Sequence, residues 1–286
     1  MSLIIKKRLK EKDALYTIKM ELKALVIDLD GSVYHGDHLI ENADEALNLL
    51  NKKYTILYLT NNSTATRVDY ALKLEQLGIP CHKDQIVSSG YAAAKYIKQH
   101  YAQSRVYVIG ERGLKRELIE QGLHPCEEEC DIVLVGLDKD FNYKKMGTAL
   151  NFLLKGASLI ATNIDSVLIR KEAIVPGAGA LVASLETASG KRAIVTGKPS
   201  AFIADLIVKK LRVKPHEILI VGDNLKTDIL MGITSGMRTA LVLTGVSKLS
   251  DIDQLHIRPD YIMNSIVDLP LRLAQTRETG KGEIEE

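Results

Sequence analysis

Residues Leu25 to Gly36 read LVIDLDGSVYHG. The stretch opens as a run of Leu, Val and Ile, the composition of a buried strand. It then places Asp28 and Asp30 at its end, followed at once by Gly31. Side chains two apart on an extended chain point the same way, so both carboxylates are expected to face one point beyond the strand. An unpartnered buried carboxylate is costly, and a like charge beside it raises the cost. Two arrangements tolerate the pair. One is a tight turn capped by an Asp, with Gly31 taking a positive φ. The other is a divalent cation between the carboxylates; Mg²⁺ suits, being a hard ion held by one or two carboxylates plus substrate phosphate. Partners elsewhere in the chain must separate them.

Short apolar runs alternate with segments of helical period from about residue 23 onward, the pattern of βαβ units around a largely parallel sheet. KALVIDLD (23–30) and YTILYLT (54–60) read as strands, and ADEALNLLNKK (43–53) and TRVDYALKLEQLG (66–78) as helices. A later group repeats the rhythm with RAIVTG, SAFIADLIVKKLR, EILIVGD, LKTDILMGITSG and TALVLTG. Between them lie the strands RVYVIG, DIVLVG and SLIATN. Strands of the two outer groups end in polar residues, Asp30, Thr60, Lys198 and Asp223, at the carboxyl end where open parallel sheets bind ligands. The expected fold is therefore α/β: a Rossmann-like, doubly wound parallel core built from 23–85 and 191–286. An α/β cap is inserted at 86–190, and 1–22 form an N-terminal extension.

Each strand end adds chemistry. GDNLKTD (Gly222–Asp228) supplies Asp223 and Asp228. TNNS (Thr60–Ser63) offers a hydroxyl, two amides and turn N–H groups for phosphate oxygens. TGKPS (Thr196–Ser200) supplies Lys198, a compact cation for an anionic group. Taken singly, TNN is a common turn and GKP a common helix start. All four in order, each at a strand end, point to phosphate chemistry.

With DLDGSVYHG, TNNS, GKPS and GDNLKTD in place, the chain resembles the haloacid dehalogenase-like phosphatases, and among them the NagD/4-nitrophenylphosphatase subfamily. The segment Ala161–Ser200 is similar to that subfamily's TNxD, PGxGA and ETASG pattern. The resemblance implies that Asp28 is the nucleophile of an aspartyl-phosphate mechanism and Asp30 the general acid and base. It implies Mg²⁺ held by Asp28, the backbone carbonyl of Asp30 and Asp223, with Asp228 orienting that shell. Thr60, Asn61 and Lys198 would hold phosphoryl oxygens, joined by the loop from Asn224 to Thr227. The second Asp, absent from dehalogenases, favours phosphate ester hydrolysis. Ser32, where many members have Thr or Val, is expected not to touch the chemistry, and Ile164 replaces a customary Pro. Two rivals remain: a phosphotransferase or mutase with the same intermediate, and a non-catalytic binder of a phosphorylated ligand.

Composition sets the outer bounds. Net charge is +2 over 286 residues, with 5% aromatics and no Trp, which argues against nucleic-acid binding. No apolar run is long enough for a membrane span, and no signal-peptide pattern is evident. Three cysteines cannot all pair, so a reducing cytoplasm is expected. Cys126 and Cys130, with His124, lack a zinc spacing and read as free thiols. The expected partner is a small phosphorylated metabolite, with a homodimer left open. Thr162, Asn163 and Asp165 either reach the site from the cap or close a local turn.

Overall fold

The computed structural model describes residues 22–169 and 173–278. The expected N-terminal extension, apart from Leu22, and the last eight residues, 279–286, lie outside them.

The strands run β1 (Ala24–Asp28), β2 (Tyr34–His35), β3 (His38–Leu39), β4 (Thr55–Thr60), β5 (Ile86–Ser88), β6 (Val106–Ile109) and β7 (Ile132–Val135). They continue as β8 (Ser158–Ala161), β9 (Val167–Ile169), β10 (Ile174–Pro176), β11 (Ile194–Val195), β12 (Ile218–Gly222), β13 (Arg238–Val242) and β14 (Tyr261–Met263). The larger sheet is parallel throughout, in the order β14-β13-β12-β1-β4-β5. A second parallel sheet has the order β11-β8-β7-β6. Two small antiparallel hairpins, β2-β3 and β9-β10, complete the strands of the described residues. This is a Rossmann-like core with an inserted α/β cap.

β1 shows why its sequence is apolar throughout. Leu25 and Ile27 pack with Leu47 and Leu50 of helix Ala43–Asn51 and Leu74 of helix Arg67–Gln76. Ala24 and Val26 pack on the other face with Ile203 and Ile207 of helix Ala201–Leu211. Each such Leu or Ile adds about 1.5–3 kcal/mol by leaving water, so both sheet faces hold the strand in register.

From β1 the chain builds outward through β4 and β5, then returns after the insert to β12 on the other side of β1. The strand order reverses between β1 and β12, and such a reversal opens a crevice at the carboxyl ends.

Two edges of the insert differ from expectation. Ile86–Ser88 joins the larger sheet as β5, beside β4. RAIVTG, assigned to the core, instead supplies β11 to the cap sheet, beside β8. Both strands are only two or three residues long, too short for a periodic signal to assign them to a sheet. Between the two sheets lies helix Ser89–His100. Its Tyr91 and Ala92 pack on the core, while Ala93, Ala94 and Ile97 pack under Val106, Val108 and Ile132 of the cap. The alanine run lets both sheets approach one helix closely, which fixes cap against core.

Candidate active site

Asp28 closes β1 and Asp223 follows β12, and the register Ile27↔Val221 brings these two strand ends side by side. Asp228 comes from the turn Leu225–Ile229, which folds back against Gly222. One oxygen from each of Asp28, Asp223 and Asp228 lies within 4.8 Å of the others, and all three residues are buried. Lys198 enters from the loop after β11. Its Nζ donates to Asp28 Oδ1 at 2.5 Å and to Asp228 Oδ1 at 2.6 Å.

Three carboxylates facing one ammonium leave negative charge in excess. Burial lifts the Asp28 carboxyl well above the usual range; Lys198 opposes this, while Asp228 and Asp223 add to it. Asp223 is pushed up to about 7, by burial first and by Asp228 second. For Lys198, burial disfavours the charge, but Asp228 and Asp28 outweigh it and the ammonium is held more firmly than usual. A buried set of oxygen donors with surplus negative charge fits a hard divalent cation.

The loop after β13 builds the far wall. Val246 N–H donates to Asp223 Oδ2 at 2.7 Å and Ser247 N–H to the Asp223 carbonyl at 3.0 Å. Gly31 (φ +87°) and Gly245 lie so close to Asp223 that a Cβ on either would overlap its carboxylate. Glycine at these two positions is a steric requirement of the site.

Asp30 departs from the expected geometry. β1 ends at Asp28 and the chain turns at once, with Ser32 and Val33 N–H donating to Leu29 O. The Asp30 carboxyl therefore does not join the cluster of Asp28, Asp223 and Asp228, and the residue is exposed. Protein packed around it still displaces enough water to raise its carboxyl, against the pull of Lys73, Gly36 N–H and His35.

The comparisons with known proteins agree with this geometry. Residues 25–124 match the family model described as haloacid dehalogenase-like hydrolase, and residues 195–269 match a HAD-hydrolase-like model. Over 251 residues the chain is 34% identical to the ribonucleotide monophosphatase NagD of Escherichia coli K12, covering 87% of this chain and 99% of that one. The chain belongs to the haloacid dehalogenase-like hydrolases. Among solved structures, the 4-nitrophenylphosphatase of Thermotoga maritima superposes with TM-score 0.82 at 32% identity, covering 88% and 96% of the two chains. A glycerol phosphate phosphatase of Mycobacterium tuberculosis, solved in complex with magnesium, gives TM-score 0.81 at 30% identity, with 88% and 78% covered. These likenesses put this haloacid dehalogenase-like chain in the NagD/4-nitrophenylphosphatase branch and make it a phosphoric monoester hydrolase.

Several of the expected site side chains also make hydrogen bonds within the protein. Thr60 is buried at the end of β4, its Oγ1 accepting from Asn62 N–H at 3.1 Å. The Asn61 carboxamide is occupied within the protein: it accepts from Lys198 N–H at 2.9 Å and donates to Lys198 O and to Asp165 Oδ2, each at 3.1 Å. Asn224 caps its own turn by accepting from Lys226 N–H at 2.9 Å. Thr227 Oγ1 donates to Asp228 Oδ2 at 3.3 Å. These four side chains shape the loops around the site.

Ser32, expected to stand apart from the site, makes contact with Asp28. It is fully buried and its Oγ donates to Asp28 Oδ2 at 3.2 Å. The turn at Leu29 brings it there, where an extended chain would have carried it past. TNxD does reach the core: Asn163 Nδ2 donates to Asn61 O at 2.7 Å. Sequence reasoning also missed the buried pair of Arg67 and Glu117, Nε to Oε2 at 3.0 Å, between core and cap helices. A lone Arg and Glu fifty residues apart carry no signal of such a pairing. Cys81, Cys126 and Cys130 are free thiols.

Proposed function

We propose that the chain is a Mg²⁺-dependent phosphatase that hydrolyses small phosphomonoesters through an aspartyl-phosphate at Asp28. The observation that carries this is the buried contact of Asp28 with Lys198, set beside Asp223 and Asp228 at the crevice between β1 and β12. A carboxylate nucleophile splits one hard hydrolysis into two easier steps. First, an Asp28 oxygen attacks phosphorus while the bond to the leaving oxygen breaks, and Asp30 gives its proton to that oxygen. Then the Asp30 carboxylate takes a proton from a water that attacks phosphorus. The bond from Asp28 to phosphorus breaks, phosphate leaves, and both carboxyl groups return to their starting state.

Asp30 suits this shuttle because it stands two residues from Asp28 and is exposed to solvent, while protein packed around its carboxyl raises it. Lys198 and the Thr60 hydroxyl would hold phosphoryl oxygens, since phosphoryl transfer asks mainly for positioning and charge stabilisation. Asp28, Asp223 and the Asp30 carbonyl would hold Mg²⁺, with Asp228 behind, and the bound ion offsets the excess negative charge that would repel a phosphate group.

The three compared relatives are named as a ribonucleotide monophosphatase, a 4-nitrophenylphosphatase and a glycerol phosphate phosphatase, which supports small phosphomonoesters as the substrate class. The cap lies over the carboxyl ends and would select among them. Three free thiols fit a reducing, cytoplasmic setting.

The test is hydrolysis of 4-nitrophenyl phosphate and a panel of phosphorylated metabolites by wild type and Asp28→Asn, with Mg²⁺ or with excess chelator. Turnover that needs both Asp28 and the metal is expected. Undiminished turnover by Asp28→Asn overturns the mechanism.

A further inference from the structure

The cap segment TNID touches the catalytic apparatus at one point, and that point leads to Lys198. Asp165 Oδ2 accepts from Asn61 Nδ2 at 3.1 Å. The same Nδ2 donates to Lys198 O at 3.1 Å, and Asn61 Oδ1 accepts from Lys198 N–H at 2.9 Å. Asn61 thus grips both backbone polar groups of the lysine whose ammonium meets Asp28. The Asn61 carbonyl is held in turn by Ser89 Oγ at 2.5 Å and Asn163 Nδ2 at 2.7 Å. With Nδ2 donating to both, a sideways move of Asp165 pulls on the bond to Lys198.

Asp165 is itself placed with care. Its N–H donates to Asn163 Oδ1 at 3.1 Å, closing the turn, and its carbonyl accepts from Gly179 N–H at 2.9 Å. A Cβ on Gly177 or Gly179 would overlap the backbone of Ile164 and Asp165, so PGAGA presses this turn against the start of helix Ala178–Ser189. Gly197 is equally tight between the Thr162 carbonyl and Asn61 Oδ1. Three sequence patterns, TNID, PGAGA and TGKP, thereby converge on one carboxamide.

We propose that Asp165 is a positioning residue: from the cap, it orients Asn61 and so sets where the Lys198 ammonium stands against Asp28. This rests on the phosphatase mechanism above. It makes the seating of the cap a condition for a correctly placed lysine, so cap movement and phosphate binding are coupled through a single side chain. No ion pair to Asp165 is found among the described residues, and its carboxylate is held there by the hydrogen bond from Asn61.

The experiment compares wild type, Asp165→Ala, Asp165→Asn and Ile164→Ala, the last being an exposed neighbour in the same turn. Steady-state turnover of a phosphomonoester is measured with thermal melting and with calorimetric binding of inorganic phosphate in the presence of Mg²⁺. Misplacing a catalytic group costs on the order of tenfold or more in rate. Asp165→Ala is expected to lower kcat by about tenfold and to weaken phosphate binding, with KM for the ester changing less. Asp165→Asn keeps an acceptor for Asn61 Nδ2 and is expected to stay close to wild type, as is Ile164→Ala. Unchanged kcat and phosphate affinity in Asp165→Ala would overturn the proposal. So would Asp165→Asn falling as far as Asp165→Ala, or Ile164→Ala falling with them. A wild type that binds phosphate but turns nothing over would overturn the phosphatase mechanism, and the binding comparison would still decide the role of Asp165.

Discussion

Lys198 Nζ stands 2.5 Å from Asp28 Oδ1, although 170 residues separate them and the strands that lead to them belong to different sheets. Asp28 ends the central strand of the core, while Lys198 follows the edge strand of the cap sheet. The pair forms only when the two are docked. The shared helix Ser89–His100 and the Asn61 clamp provide that docking.

Removing this ammonium has a large expected effect. Lys198→Ala leaves Asp28 and Asp228 buried and facing each other with no cation. Breaking a buried pair by deleting one partner costs about 3–5 kcal/mol, so the metal-free variant is expected to unfold at markedly lower denaturant. Turnover should drop by more than about a hundredfold, as when a preorganised charge at the reacting group is lost. Denaturant melts and steady-state kinetics check both effects.

Ser32→Ala makes a gentler prediction. It removes one hydrogen bond to Asp28 Oδ2 from a fully buried hydroxyl. A bond of this kind contributes about 0.5–1.5 kcal/mol, or 1.5–3 to a charged group. The expected outcome is a fall in kcat of up to about tenfold, with folding intact by circular dichroism.

The pH dependence of the metal-free protein has a definite sign. Asp223 is pushed up to about 7 from an ordinary value of 3.8, and Asp28 is raised in the same direction. A folded carboxyl that holds its proton more tightly than the unfolded one adds stability that is full at low pH and is lost as pH rises through the folded value. In excess chelator, the melting temperature is therefore expected to fall from about pH 5 to about pH 8 as these groups ionise. With Mg²⁺ held by the ionised cluster as proposed, the ion should restore stability chiefly at the upper end of that window. Calorimetric melts with and without the ion test this. A chelated protein that grows more stable with rising pH would contradict it.

Between core and cap, Glu117 holds Arg67 twice: its Oε1 accepts Arg67 N–H at 2.8 Å and its Oε2 accepts Nε at 3.0 Å. Arg67 keeps Glu120 at 3.0 Å when Glu117 is lost. Glu117→Ala is therefore expected to destabilise by about 2–3 kcal/mol, less than for a charge left wholly unpaired. Urea melts give the value directly.

Much of this was legible in the chain itself. The run Leu25–Asp28 predicted a buried strand, and it lies in the interior of the sheet with its side chains alternating between two cores. Asp28, Lys198, Asp223 and Asp228 meet because each follows a strand or turn whose carboxyl end faces the crevice. What the sequence could not carry was direction after a turn. Asp30 leaves the carboxylate cluster and Ser32 enters it because the chain bends at Leu29, and a period-two rule holds only while the strand continues. Short strands were equally opaque: Ile194–Val195 has two residues, and its sheet is decided by its partner in β8. Asn61 had the right address and a different task, since its composition could not reveal that Lys198 and Asp165 occupy its amide.

The central claim is that Asp28 carries the phosphoryl group. The most direct measurement mixes the enzyme with a phosphomonoester and Mg²⁺, quenches with acid within the first turnover, and locates any added phosphoryl group by peptide mass mapping. A phosphorylated peptide spanning Asp28, absent from Asp28→Asn and dependent on the metal, is the predicted result. Rapid turnover with no phosphorylated enzyme at any time, or with the group on another residue, would contradict it.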